Sequence, residues 1–286
     1  MMQDDYIALL GTKGGPAIRP GSSMPTSNLV HLNGRSIVLD CGLGVTRGLV
    51  DQGMQLKDLS LVLISHLHSD HYLELGALLH TAWVAGLNAP VDVYGPKGLE
   101  DYWQAFLTSM KADIDLRIED EGRPDLRDLV TLHVIDAGEV LRIDGITITA
   151  MRTEHPPLVD CFAFRFDTAH KSVVFSGDTA PMNAMEDFSR GADVLVHEAM
   201  LGAALPALMK RIGNGSEKLM EHWLRSHTYA HDAAKTARNA GVRHLVLSHL
   251  IPSDDPDYGE KDWQKAVEDH WSDNFTVGTD GCRISI

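Results

Sequence analysis

Ser65-His66-Leu67-His68-Ser69-Asp70-His71 follows directly on the apolar run Leu61-Val62-Leu63-Ile64. A short apolar run that ends in a polar cluster reads as a buried strand delivering side chains at its carboxyl end. On a helix, His66 and His68 would face about 200° apart, whereas an extended turn lets both converge on one ion. Tyr72 to Trp83 then reads as a helix with apolar residues near 3.6-residue spacing. Neutral imidazole nitrogens beside the Asp70 carboxylate form a borderline-soft donor set, suited to zinc more than to magnesium or calcium. The stretch reads as a metal site at a strand end rather than as a histidine-rich polar loop.

At 286 residues, 44% hydrophobic and 23% charged, the chain has the composition of a globule with a sizeable core. One domain over residues 1–286 is expected, since α/β folds of this length often form one. The formal charge of −15 offers no basic stripe for a phosphate backbone, so nucleic acid is not expected as a partner. Met1-Met2-Gln3-Asp4-Asp5 lacks the basic start and apolar segment of a signal peptide. No run approaches the ~18 apolar residues of a membrane span. Cys41, Cys161 and Cys282 are odd in number, far apart and without CxxC spacing, which fits a reducing cytoplasm better than a disulfide framework.

Along the chain, Tyr6 to Leu10 reads as a strand running into Gly11-Thr12-Lys13-Gly14-Gly15-Pro16 and Arg19-Pro20-Gly21. This turn-rich segment lacks the GK[ST] ending of a P-loop, and reads either as a mobile loop beside a pocket or as a plain surface connection. Asn33-Gly34 supplies a type I′ turn between strands 28–32 and 36–39, and the second ends at Asp40-Cys41-Gly42. Helices are predicted over 45–52 and 97–110, with a charged surface excursion at 111–130. Strands are predicted over 91–94, 131–135, 146–151, 161–166, 172–176 and 194–196, with Asp144-Gly145 as a turn. Residues 201–224 form a helix-rich, Met-rich section interrupted at Gly213-Asn214-Gly215. A helix over 231–240 ends at Gly241. A strand over 244–247, a helix over 261–271 and a last strand over 275–277 complete the pattern. Two sheets with helices outside account for it.

His155, Asp178 and His249 repeat the grammar of the opening motif, each following an apolar strand. The HxHxDH element, the distal His155, Ser176-Gly177-Asp178-Thr179 and the late His249 together resemble the metallo-β-lactamase-fold superfamily. The resemblance implies an α/β fold, an αββα sandwich with the metal site at one edge of the two sheets. It implies two Zn2+ per chain, with Mn2+ or Fe2+ as alternatives. His66, His68 and His155 would hold one ion, Asp70, His71 and His249 the other, and Asp178 would bridge them. Two divalent ions lower the pKa of a water they share, and Asp70 would help to orient it. Asp40 reads either as a hydrogen-bonding support for a ligand or as a turn aspartate.

Two further elements are similar to the ribonuclease Z branch, which also contains phosphodiesterases and sulfatases. His197-Glu198-Ala199 matches that branch except that Met200 replaces a threonine, and Ser226-His227-Thr228 precedes the helix over 231–240. The resemblance makes Glu198 and His227 a general-acid pair, unless both are structural polar residues. The chain departs from true ribonuclease Z after His155, where Pro156-Pro157-Leu158 leaves no room for a tRNA-gripping arm. The expected function is therefore a dinuclear zinc-dependent hydrolase of a small ester-like substrate: a carboxylic ester or lactone, a phosphodiester, a sulfate ester or a β-lactam. A ribonuclease Z-like nuclease is the alternative. The expected partner is a small molecule, with neither nucleic acid nor membrane, and a homodimer follows by analogy with the branch. Residues 201–224, with Met209, Met220 and Trp223, read as a lid over the pocket or as plain core. His31, His80, His133, His170, His222, His231, His244 and His270 lie outside the pattern and read as surface or packing residues.

Overall fold

In the computed structural model, which describes residues 5–213 and 217–286, strand β3 (Arg35–Cys41) turns Ile37 and Leu39 to one side and Val38 and Cys41 to the other. That alternation is the period of two of any strand, offset by one residue at Asp40, and here both sides are buried. The same holds for β1 (Tyr6–Gly11), where Ile7 and Leu9 oppose Ala8 and Leu10. Strands covered on both faces read as continuous apolar runs, and such sheets need a layer on each side. The Gly213-Asn214-Gly215 interruption and the Met1 to Asp5 start fall partly outside the described residues.

The first sheet has the order β14-β1-β2-β3-β4-β5-β6. It adds β2 (Ser27–Leu32), β4 (Leu61–Leu63), β5 (Val91–Gly95), β6 (Val130–Val134) and β14 (Arg283–Ser285) to β1 and β3. The second has the order β13-β12-β11-β10-β9-β8-β7. Its strands are β7 (Gly138–Ile143), β8 (Ile146–Arg152), β9 (Phe162–Asp167), β10 (Ser172–Phe175), β11 (Val194–Met200), β12 (His244–Ile251) and β13 (Asn274–Val277). Strands β3 to β6 are parallel, as are β10 to β13, while the hairpin ends of both sheets are antiparallel. Phe162, Phe164 and Phe166 of β9 fill the space between the sheets with Leu39, Leu63 and Val196.

Helices cover the outer faces. On the first sheet these are α1 (Val45–Asp51), α2 (Ser69–Tyr72), α3 (Leu75–Val84), α4 (Leu99–Glu121) and α5 (Leu126–Leu129). Then come α6 (Asn183–Phe188), α7 (Leu205–Ile212), α8 (Glu217–Ser226), α9 (Ala230–Ala240) and α10 (Glu260–Val267) on the side of the second sheet. The expected αββα layering is the one observed. Among the described residues no helix is long and apolar enough to cross a membrane.

The expected excursion at 111–130 is instead a continuation of α4 to Glu121. Ile114 and Ile118 extend the stripe of Leu99, Trp103 and Leu107 against the first sheet. Pairs at i,i+4 support the outer face: Lys111 with Asp115, and Arg117 with both Asp113 and Glu121. The helix stops at Gly122, whose φ of 67° ends it in the left-handed cap. The helix expected from Tyr72 is two pieces, because Glu74 turns out of the spiral and its carboxylate accepts the Thr46 amide at 3.0 Å. Strands β7 and β14 and helix α6 were not foreseen, so 275–277 is not the last strand. Ile114→Ala should cost about 2–5 kcal/mol in denaturant unfolding, while Leu116→Ala, at a position 62% exposed, should stay within about 0.5 kcal/mol. Equal effects would contradict the packing of the second half of α4.

Candidate metal centre

Most side chains of the centre leave a strand end or a turn on one edge of the two sheets, and two leave bulges within strands. His66, His68, Asp70 and His71 follow β4, His155 follows β8, and Asp178 follows β10. Two positions depend on irregular backbone. His249 lies within β12, where Glu198 pairs with Ser248 but Ala199 pairs with Leu250, so His249 is the extra residue of a bulge, with φ 46°. Asp40 is the extra residue of a second bulge, between the pairs Asn28–Leu39 and Ser27–Cys41, with φ 63°. A bulge re-aims one side chain without breaking the sheet.

His66 Nε2 and His68 Nδ1 are 3.2 Å apart, and His155 Nε2 is 2.9 Å from the same His68 nitrogen. His155 Nδ1 donates to the Ser226 carbonyl at 2.8 Å, which leaves its Nε2 as a bare lone pair facing the cluster. The Asp40 carboxylate accepts His71 Nδ1–H at 2.8 Å, and also the Ser65 amide and hydroxyl at 2.7 and 2.8 Å. That bond fixes the His71 tautomer and turns Nε2 inward. His249 Nε2 lies 3.4 Å from Asp70 Oδ2 and 3.1 Å from Asp178 Oδ2. The candidate residues thus meet in two groups, His66, His68, His155 and Asp178 in one and Asp70, His71 and His249 in the other, linked by a third that holds Asp178 and His249 with His227.

Whether the residues fit a metal can be judged from what they lack. His71 Nε2, both ring nitrogens of His249 and Asp178 Oδ1 are buried and have no hydrogen-bond partner. Buried polar atoms are nearly always satisfied, and a cation between these atoms satisfies them together. Burial, with neighbouring imidazoles adding to it, pushes His66 well below the usual histidine range, His68 to about 4, and His155 down, so all three present neutral donors. Burial opposes charge on His71 and His249 as well, but Asp178 and its neighbouring carboxylates outweigh it. His71 is held well above its ordinary value and His249 rises to about 10. Nitrogen and carboxylate donors of this kind suit zinc.

The glycine-rich segment after β1 lies beside the cavity and against the cluster, the position that the first of its two sequence readings gives it. The Gly15 amide donates to Asp70 Oδ2 at 2.8 Å. A side chain at Gly14 would stand 2.9 Å from His249 Cε1, so only glycine lets the backbone cross that ring. Glu198 grips His227 Nδ1 with both oxygens, at 3.1 and 3.0 Å, and leaves Nε2 as the free nitrogen. His227 also falls within one group with Asp178 and His249. Beside the cluster opens a cavity of about 390 Å³, reached by Lys13, Arg19, His68, His227 and, from α7 and α8, Leu208 and Trp223.

His222 was set aside from the sequence, yet its ring lies 5.8 Å from those of both His155 and His227. The signal was its spacing from Ser226, one turn along α8, whose hydroxyl lies 3.3 Å from His222 Nδ1. Lys13 was likewise unmarked, since a lone lysine in a turn carries no pattern.

The sandwich and its edge cluster define a metal-dependent hydrolase of the metallo-β-lactamase fold. The family described as "Anti-Pycsar protein Apyc1" matches residues 6–250. A ribonuclease Z of Mycobacterium bovis (strain BCG / Pasteur 1173P2) is 32% identical over 283 residues, covering 98% of this chain and 98% of that protein. The chain belongs to the Apyc1 family and is a ribonuclease Z-like member of the superfamily. Among solved structures, the metallo-β-lactamase fold protein YhfI from Bacillus subtilis superposes with TM-score 0.73 at 19% identity, over 99% of this chain and 100% of that one. Human tRNase Z, short form, gives 0.68 at 19% identity, over 98% and 99%.

These relatives correct the expectation that nucleic acid is not a partner: a full-length relative at 32% identity is a ribonuclease. The error lay in letting a net charge of −15 stand for the field at the site. A sum over the whole surface says little about a pocket lined by Lys13 and Arg19. The ribonuclease Z-like alternative is accordingly better supported than the small-ester reading.

Asp40→Ala should weaken metal binding by about 10–100-fold in chelator competition, with the circular dichroism spectrum unchanged. Unaltered affinity in a folded variant would show that the Asp40–His71 bond does not orient a donor.

Proposed function

We propose that the chain is a two-zinc phosphodiesterase of the ribonuclease Z kind, acting on a phosphodiester bond of RNA. In this reading His66, His68 and His155 hold one ion, Asp70, His71 and His249 the other, and Asp178 lies between them. Ions bound there would polarise the phosphoryl oxygen and acidify water for attack. The observation that carries the reading is the Glu198–His227 pair beside Asp178 and His249. A ribose oxygen leaves poorly as an alkoxide, so a positioned acid matters more for RNA than for an activated ester. Glu198 fixes the orientation of the imidazole through Nδ1, and Nε2 would deliver the proton to the leaving oxygen. The backbone of Gly14 and Gly15 holds His249 and Asp70 from the open side. The 390 Å³ cavity, walled by α7 and α8, favours a second, narrower form of the reading, in which the diester belongs to a nucleotide-sized substrate.

The test compares leaving groups. Zinc- or manganese-loaded protein should cleave an RNA carrying a 3′ trailer and bis(nitrophenyl) phosphate, and a chelator should abolish both activities. His227→Ala should lower kcat on RNA by about 10²–10⁴-fold, but far less on bis(nitrophenyl) phosphate, whose nitrophenolate leaves without a proton. Turnover of nitrophenyl acetate alone, or an equal loss on both diesters, would overturn the reading.

A further inference from the structure

Lys13 is a buried lysine in the wall of the cavity beside the metal centre, where burial lowers its pKa and the Asp254 and Asp70 carboxylates act on it without forming an ion pair. Its backbone cannot swing away: the amide donates to Met24 O at 3.0 Å, the carbonyl accepts Thr26 Oγ1 at 3.2 Å, and the residue bridges Pro25 and Leu250. The side chain lines the cavity with His68, Asp70, Asp178, His227 and His249, and the residue is only 4% exposed. Nζ donates one proton to the Gly14 carbonyl at 3.0 Å. No carboxylate among the described residues pairs with it. The other basic groups nearby are engaged: Arg19 pairs with Asp254 at 3.5 Å, and Arg211 with Asp254 and Asp255 at 3.3 and 2.9 Å.

An ammonium has three donors and is costly to bury unpaired. A purely structural position would be better served by an apolar side chain of the same length. The backbone clamps and the single carbonyl contact instead hold the charge against the cavity, where an anion would complete its coordination.

We propose that Lys13 is a specificity-determining residue that takes a non-bridging oxygen of an anionic diester seated on the metal cluster, selecting charged phosphodiesters over neutral esters. The proposal rests on the phosphodiesterase reading and adds the group that recognises substrate charge. Its test uses Lys13→Met, which keeps the length and removes the charge, and Lys13→Gln as a second variant, both metal-loaded. With bis(nitrophenyl) phosphate, Lys13→Met should raise KM by about 10–100-fold and weaken inhibition by inorganic phosphate by a similar factor, as expected for loss of a hydrogen bond to a charged group. Any turnover of nitrophenyl acetate should keep its KM within about twofold, because that substrate offers no anion to an ammonium. Thermal unfolding supplies a readout independent of turnover. Inorganic phosphate should raise Tm of the variants only at about 10–100-fold higher concentration than it raises that of the wild-type protein, and without phosphate the variants should unfold at the same temperature or higher. Wild-type protein that cleaves no phosphodiester would remove the functional reading, while the phosphate-dependent Tm still decides the role of Lys13. An unchanged phosphate response in either variant, or a lowered Tm in both without phosphate, would overturn the proposal and make Lys13 a structural strut.

Discussion

One oxygen of Asp178 sets the terms for the whole edge of the sandwich. Oδ2 lies 3.1 Å from His249 Nε2, 3.5 Å from His71 Nε2, 3.6 Å from His66 Nε2 and 3.8 Å from His155 Nε2. Taking a carboxylate and four imidazoles out of water is unfavourable unless positive charge sits among them. The cluster meets that demand unequally. His66, His68 and His155 are driven neutral by burial, whereas His71 and His249 are drawn to the protonated side by the carboxylates around them. One half therefore presents bare lone pairs, and in the other the carboxylates favour positive charge among the imidazoles.

Holding that arrangement requires backbone that regular strands do not provide. His249 and Asp40 both sit at positive φ in bulges, and each such non-glycine residue costs of the order of 1–3 kcal/mol. The surrounding sheets supply the compensation, since Leu39, Leu63, Val196 and Val246 beside these bulges belong to the buried layer between them. The glycine segment after β1 closes the same edge from outside, with Gly14 over His249 and Gly15 on Asp70. The site is thus built from both sheets at once, which is why its residues are scattered from His66 to His249.

The parts of this that the sequence made legible are those with a period or a spacing. The HxHxDH run at 66–71 has a spacing that only an extended turn can use, and strands buried on both faces announce themselves as apolar runs. His155 and Asp178 follow such runs and His249 lies within one, and that pattern is what marks them in the sequence. Asp40 was left between two readings because a bulge is invisible in sequence; its bond to His71 exists only through the fold. Helix α4 was cut short because its second half is charged around a narrow apolar stripe, so Ile114 and Ile118 were lost among carboxylates and bases. Lys13 has no motif to mark it and His222 only its one-turn spacing from Ser226, and both join the site when the chain brings β1, α8 and β4 together. Net charge misleads because it averages over the whole surface, whereas Lys13 and Arg19 line the cavity beside the cluster.

The account rests on these scattered donors holding two ions side by side. The most direct measurement is a crystal structure of the zinc-loaded protein with anomalous differences collected across the zinc edge. It should show two peaks, one within about 2.0–2.3 Å of the nitrogens of His66, His68 and His155 and the other at similar distances from Asp70, His71 and His249, with Asp178 between them. Zinc bound elsewhere, or an edge cluster without an anomalous peak at saturating metal, would contradict it.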